Sequence, residues 1–152
     1  MIINGALSNK TPLKQGVPQG SILGPVLFNS YIAPLSKIAQ LHNIDDDKFA
    51  DDEQMALAFR TKHLHTQINS VIKMENCIDD IRVFLKKNKL SNNGEKTECS
   101  LFGTAQQLNK IKFDSIDIDG IKIKIKEKVK NLGVIFDNSL SMSADVNRIC
   151  SV

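Results

Sequence analysis

Hydrophobic positions along this chain change their spacing several times, and each change marks an element. Ile2-Ile3, then Asn4-Gly5, then Ala6 to Leu13 reads as a hairpin whose first strand is already under way at Met1. Gly16 to Gly20 is loop-like. Ser21 then stands where it can cap a helix carrying Leu23, Leu27, Tyr31 and Leu35 at four-residue intervals, a stripe expected to lie in the core. Lys48-Phe49-Ala50, Asp51-Asp52 and then Met55, Leu57 and Phe59 alternating with polar or small residues predict strand, tight turn, strand, with both aspartates at the turn. Leu64, Ile68, Val71, Ile72, Ile78, Ile81 and Leu85 recur every three or four residues, which predicts a long amphipathic helix from Thr61 to Asn88. Lys86, Lys87 and Lys89 suit its negative C-terminal end.

Period two takes over downstream. Lys96 to Phe102 is strand-like, and Ile111 to Ile118 and Ile121 to Ile125 flank Asp119-Gly120 as a hairpin. In its second arm Ile121, Ile123 and Ile125 face one side, and Lys122, Lys124 and Lys126 the other. Val129 to Phe136 is a further strand, Thr104 to Lys110 a loop, and Ser143 a cap for a short last helix. The expected fold class is α/β of the α+β kind, an antiparallel sheet with packing helices.

At 152 residues the chain is sized for one core, so the domain is expected to span 1-152. Net charge is +3, yet Asp45 to Glu53 holds six acids and one lysine, so that stretch carries −5 and the remainder +8. An acidic focus thus sits in a basic chain, whose net charge is too mild to prove a nucleic-acid partner. Three cysteines, Cys77, Cys99 and Cys150, have no paired spacing, so neither a disulfide framework nor a zinc site is expected. The first residues lack a secretory pattern, and an intracellular setting, cytoplasmic or nuclear, is expected. Gly16 to Ser36 is free of charge, but Pro18, Gly20, Gly24, Pro25 and Pro34 interrupt it, so no membrane span is expected.

Adjacent carboxylates at a tight turn repel each other, and a divalent cation relieves that repulsion, so Asp51-Asp52 is a candidate metal site beside the plain alternative of a solvated turn. An EF-hand loop starting at Asp45 fails, because Ala50 stands where glycine is needed and Ala56 where glutamate is needed. His63 and His65, one residue apart on a predicted helix, should point to different faces and share no metal. No GxSxG, Walker A or GxGxxG pattern occurs.

The order of the pieces says more. Gly16-Val17-Pro18-Gln19-Gly20-Ser21-Ile22-Leu23-Gly24-Pro25, then Phe49-Ala50-Asp51-Asp52, then Asn88-Lys89-Leu90 with Lys96-Thr97-Glu98, then Leu132-Gly133-Val134, closely resembles the reverse transcriptases of non-LTR (LINE-type) retrotransposons. The resemblance runs through essentially the whole chain. It implies the palm of a right-hand polymerase, truncated at both ends, that carries RNA-directed DNA polymerase chemistry with Mg²⁺, or Mn²⁺, as cofactor. Asp51 would be a metal ligand and Asp52 its acidic neighbour, the catalytic pair, with Phe49 at the aromatic position before them. Pro18, Gln19 and Gly20 would lie against nucleotide and template, Lys96 near the nucleotide phosphates, and Leu132-Gly133 in the primer grip. Implied partners are an RNA template, a DNA primer, deoxynucleotides and the fingers and thumb segments of a full-length protein.

Two departures qualify that expectation. The resemblance calls for a third aspartate in an Asp-x-x-x-x-aromatic box ahead of Gly16, yet none of the 15 residues before Gly16 is Asp or Glu. Glu53 stands where a small polar residue is usual, adding charge beside the metals. The chain by itself is therefore expected not to polymerise. The alternatives to an active polymerase piece are an inactive mobile-element remnant and a nucleic-acid-binding module that uses Lys122, Lys124 and Lys126 on phosphates.

Overall fold

A computed structural model describes the backbone of residues 2–3 and 6–7, and residues 16, 20–50, 52–90 and 96–151. It is a mixed α/β chain with short hairpins around one long helix. β1 (Ile2–Ile3) and β2 (Ala6–Leu7) pair antiparallel, as the opening hairpin predicts.

α1 (Gly24–Ile32) starts after Leu23, with Pro25 in its first turn and no side-chain cap, so Ser21 does not cap it. Pro34 has no amide hydrogen to continue the ladder, and the chain restarts as α2 (Pro34–Leu41). A strict four-residue spacing drifts around a helix of 3.6 residues per turn, so the predicted stripe leaves the buried face. Leu35 is buried, but Leu23, Leu27 and Tyr31 are exposed, while Ile32 and Ala39 join the core instead. The Tyr31 hydroxyl donates to the Asn88 carbonyl at 2.6 Å.

α3 (Leu64–Lys87) is the spine. It carries Cys77 and Ile81 into a cluster with Ile32, Leu35, Ala39 and Ile44, and Ile78 into a second cluster with Ile116 and Ile118. Met55 and Met74 touch both clusters, so the two are one continuous core. Burial of these aliphatic side chains is what holds α2 and the hairpins on either side of α3. Gln67 of α3 is 2% exposed, and its amide nitrogen and oxygen are both hydrogen-bonded. It donates to the carbonyls of Thr61 and Lys110, both at 2.9 Å, and accepts from the Lys112 amide at 3.0 Å.

β3 (Asp45–Phe49) and β4 (Asp52–Ala56) form an antiparallel hairpin. Downstream, the strand-like run after Lys96 narrows to β5 (Cys99–Ser100), and the expected loop contains a helical turn, α4 (Ala105–Leu108). Thr104 and Gln107 make a capping box, which a reading by composition overlooks. β6 (Ser115–Ile118) and β7 (Ile121–Lys126) pair antiparallel, β5 joins β7 in parallel, and Asp119 and Gly120 turn between β6 and β7 with φ of 58° and 76°. The single strand expected over Val129 to Phe136 is a hairpin instead, β8 (Lys128–Asn131) and β9 (Val134–Asp137), folded at Leu132-Gly133. α5 (Ser143–Cys150) follows, with Met142 rather than Ser143 at its cap position.

Among the described residues no helix is long and apolar enough to cross a membrane.

Candidate nucleotidyl-transfer site

The β3–β4 register pairs Phe49 with Asp52, so the hairpin loop is Ala50-Asp51 and Asp52 is the first residue of β4. Ala50 adopts φ of 56°, a left-handed conformation that costs a non-glycine residue about 1 kcal/mol. Asp51 lies outside the described residues, as do Pro18 and Gln19. Strand alternation puts Asp47, Phe49, Asp52 and Gln54 on one face of the hairpin and Asp46, Lys48, Glu53 and Met55 on the other. Phe49 is exposed, and so is Asp52, whose carboxylate has no hydrogen bond or ion pair among the described residues. Its oxygens are open to a ligand, and carboxylate oxygen is the donor type a hard divalent cation selects. Among the described residues no three His, Cys, Asp or Glu side chains converge as a metal site.

The opposite face explains Glu53. Lys48 forms an ion pair with Asp46 and lies 3.4 Å from Glu53, while Ser36 of α2 donates to Asp46 at 2.7 Å and accepts from Lys48 at 2.7 Å. Burial pushes the Glu53 carboxyl above its ordinary value against the pull of Lys48, and its Oε1 has no hydrogen-bond partner among the described residues. Burial also acts to raise Asp46, but hydrogen bonds from Lys48 and Ser36, with the Lys48 charge, leave it below its ordinary value. The extra carboxylate at position 53 therefore points away from the Asp52 face and is balanced from beneath by Lys48.

A second hairpin abuts the Asp52 face. Gln54 Nε2 donates to Asn131 Oδ1 and Asn131 Nδ2 donates to Gln54 Oε1, both at 2.8 Å, a reciprocal amide pair across 77 residues of sequence. Leu132 and Gly133 follow Asn131 immediately, so the turn expected to be the primer grip stands next to the aspartate hairpin. Leu132 is 54% exposed.

The remaining expected residues spread out. Gly20 has φ of 83° and open space where a Cβ would stand, which suits close approach of a ligand to its backbone. Lys96 is exposed in a helical turn before β5, and no described hydrogen bond or ion pair joins it to the aspartate hairpin. Lys122, Lys124 and Lys126 are exposed on β7 as the alternation requires, with Lys126 paired to Glu98 at 2.6 Å. His63 precedes α3 in extended conformation rather than lying on it, so its ring stacks on His65 at 5.4 Å instead of facing away. Sequence reading missed Gln54 and Asn131 altogether, because nothing local marks an amide pair formed by tertiary folding.

The family model described as "Reverse transcriptase (RNA-dependent DNA polymerase)" matches residues 1–136. The chain belongs to the reverse transcriptase family. It is 22% identical over 152 residues to the RNA-directed DNA polymerase from mobile element jockey of Drosophila melanogaster, an alignment covering 97% of this chain and 16% of that protein. The chain spans about one sixth of the length of that relative. Members of the family use a divalent metal and bind nucleic-acid template and nucleotides. No solved structure matches the chain.

Proposed function

We propose that this chain forms the palm part, residues 1-152, of an RNA-directed DNA polymerase, with Asp51 and Asp52 holding Mg²⁺, or Mn²⁺, beside a DNA primer paired to an RNA template. The observation that carries this reading is the hairpin in which an exposed Asp52, without a hydrogen bond or ion pair among the described residues, opens β4 opposite an exposed Phe49, in a chain that belongs to the reverse transcriptase family. A divalent cation bound there supplies Lewis-acid charge that favours a primer alkoxide and offsets negative charge on the nucleotide phosphates.

The chain's own residues do the positioning. Asp51 and Asp52 supply oxygen donors, Asp52 from the exposed face of the hairpin, while Lys48 pairs with Asp46 and lies beside Glu53 on the opposite face. Pro18, Gln19 and Gly20 line the nucleotide and template side, and the Gly20 backbone permits close approach. Lys96 meets nucleotide phosphates, and Leu132-Gly133 contacts the primer end. The proposed setting is intracellular, in cytoplasm or nucleus, where template RNA and primer DNA are found. Fingers and thumb segments of a longer protein are the proposed partners that complete the grip.

Residues 1–15 contain no acid, so the 152-residue chain alone offers two carboxylates where the chemistry calls for three, and it binds substrate without extending it. The test is binding of oligo(dT) annealed to poly(rA), with and without Mn²⁺, followed by primer extension. Metal-dependent binding that Asp51→Ala or Asp52→Ala weakens, with no incorporation, is expected. Absence of duplex binding overturns the reading, and incorporation above the Asp51→Ala control overturns the claim that two carboxylates are insufficient.

A further inference from the structure

The Leu132-Gly133 turn is strained and held from both sides. Leu132 has φ of 45° and Gly133 φ of 88°, and the left-handed region is unfavourable for a residue that carries a Cβ. Such strain persists only where surrounding contacts enforce it. On one side stands the Gln54–Asn131 amide pair. On the other, the Arg148 guanidinium of α5 donates to the Gly133 carbonyl at 3.0 Å and to Asp145 Oδ1 at 2.8 Å. Asp145 in turn accepts from the Ile135 amide at 3.1 Å and is only 8% exposed.

Gln54 lies two residues after Asp52 on the same face of β4, about 7 Å along the strand. We propose that Gln54 and Asn131 are positioning residues that fix the distance between the Asp52 carboxylate and the Leu132-Gly133 turn, with Arg148 bracing the turn from behind. Two amide groups that each donate to and accept from the other set a separation more sharply than an apolar contact, because a slip weakens both hydrogen bonds at once. Leu132, exposed at the tip, is then presented to the terminal nucleotide of the primer at a set place relative to the aspartates. A misplacement on the scale of 1 Å between reacting groups can cost a polymerisation step about a hundredfold. The inference rests on the proposed function, since it takes the ligand of this turn to be a primer end.

The experiment uses a DNA primer ending in 2-aminopurine annealed to an RNA template, bound to the 152-residue chain with Mn²⁺. Anisotropy reads total binding, and 2-aminopurine fluorescence reads the environment of the primer terminus. Gln54→Leu and the milder Gln54→Asn are expected to keep affinity within about twofold, since phosphate contacts dominate it, while losing the fluorescence change. The swap of Gln54→Asn with Asn131→Gln, which conserves the combined length of the pair, should restore that change. Circular dichroism melting of each variant separates loss of fold from loss of position. A terminal signal unaffected by Gln54→Asn overturns the inference, and so does a folded swap variant that fails to recover it. A wild-type chain that binds duplex but shows no terminal signal also overturns it while leaving the proposed function standing. Absence of duplex binding by the wild type overturns both.

Discussion

Replacing Gln67 by leucine tests whether the fold is pinned by a buried amide or by apolar packing alone. Gln67 makes three hydrogen bonds, to Thr61, Lys110 and Lys112, that tie the start of α3 to the segment feeding β6. Leucine has nearly the volume but none of the polar atoms. Each lost bond removes about 1 kcal/mol net, and because Lys110 and Lys112 are otherwise exposed, water recovers part of the cost of stranding their backbone groups. The expected loss is therefore about 3 kcal/mol, a fall in Tm of about 6 to 12 °C for a domain of this size. Urea unfolding should show a lower midpoint with an unchanged slope. Gln67→Glu adds a check that packing cannot mimic. Its carboxylate would face two carbonyl oxygens, so its pKa must rise in the fold, and the variant should recover stability as the pH falls and the carboxyl gains a proton to donate. A loss below about 1 kcal/mol for Gln67→Leu, or a Gln67→Glu variant indifferent to acid, would refute the reasoning.

Other expectations are as direct. Because burial raises the Glu53 pKa above 4.5, the neutral carboxyl suits the fold and this group's contribution worsens as pH climbs through the folded value. The Tm gain of Glu53→Gln over wild type should therefore be largest at neutral pH and shrink toward acid, as read by thermal melts across that range. Asp46 behaves oppositely, its contribution being lost as pH falls below 3.8. Gly120→Ala places a Cβ in open space but at φ of 76°, so its cost is conformational, about 1 kcal/mol by denaturant titration. Ile81→Ala, 3% exposed between α2 and α3, should cost about 2 to 5 kcal/mol in the same titration.

How much of this was legible in the sequence depends on the range of the interactions. α3 was readable because its apolar repeat is long, and the β6–β7 hairpin because Asp119-Gly120 accepts positive φ at both positions. The Gly24 helix is legible in type but not in its buried face, since a strict four-residue spacing drifts off the stripe that Ile32, Leu35 and Ala39 form. α4 could have been found from Thr104 and Gln107, three residues apart, and the β8–β9 turn from Gly133. At the site, the Phe49 to Asp52 hairpin followed from alternation, but the partners of that hairpin did not. Gln54 and Asn131 meet across 77 residues, and the Lys48–Glu53 compensation requires knowing which strand face is covered by α2. Neither leaves a local pattern.

The central claim, a metal-holding aspartate hairpin with the Leu132-Gly133 turn beside it, is tested most directly by iron-mediated cleavage. Fe²⁺ in place of Mg²⁺, with ascorbate and peroxide, cuts backbone near the bound ion. The account predicts cuts at residues around 51 and 52 and, through the Gln54–Asn131 contact, around 131 to 133, with both sets lost in Asp51→Ala and suppressed by excess Mg²⁺. Cleavage confined to other segments, or a pattern that Asp51→Ala and Asp52→Ala leave unchanged, would contradict it.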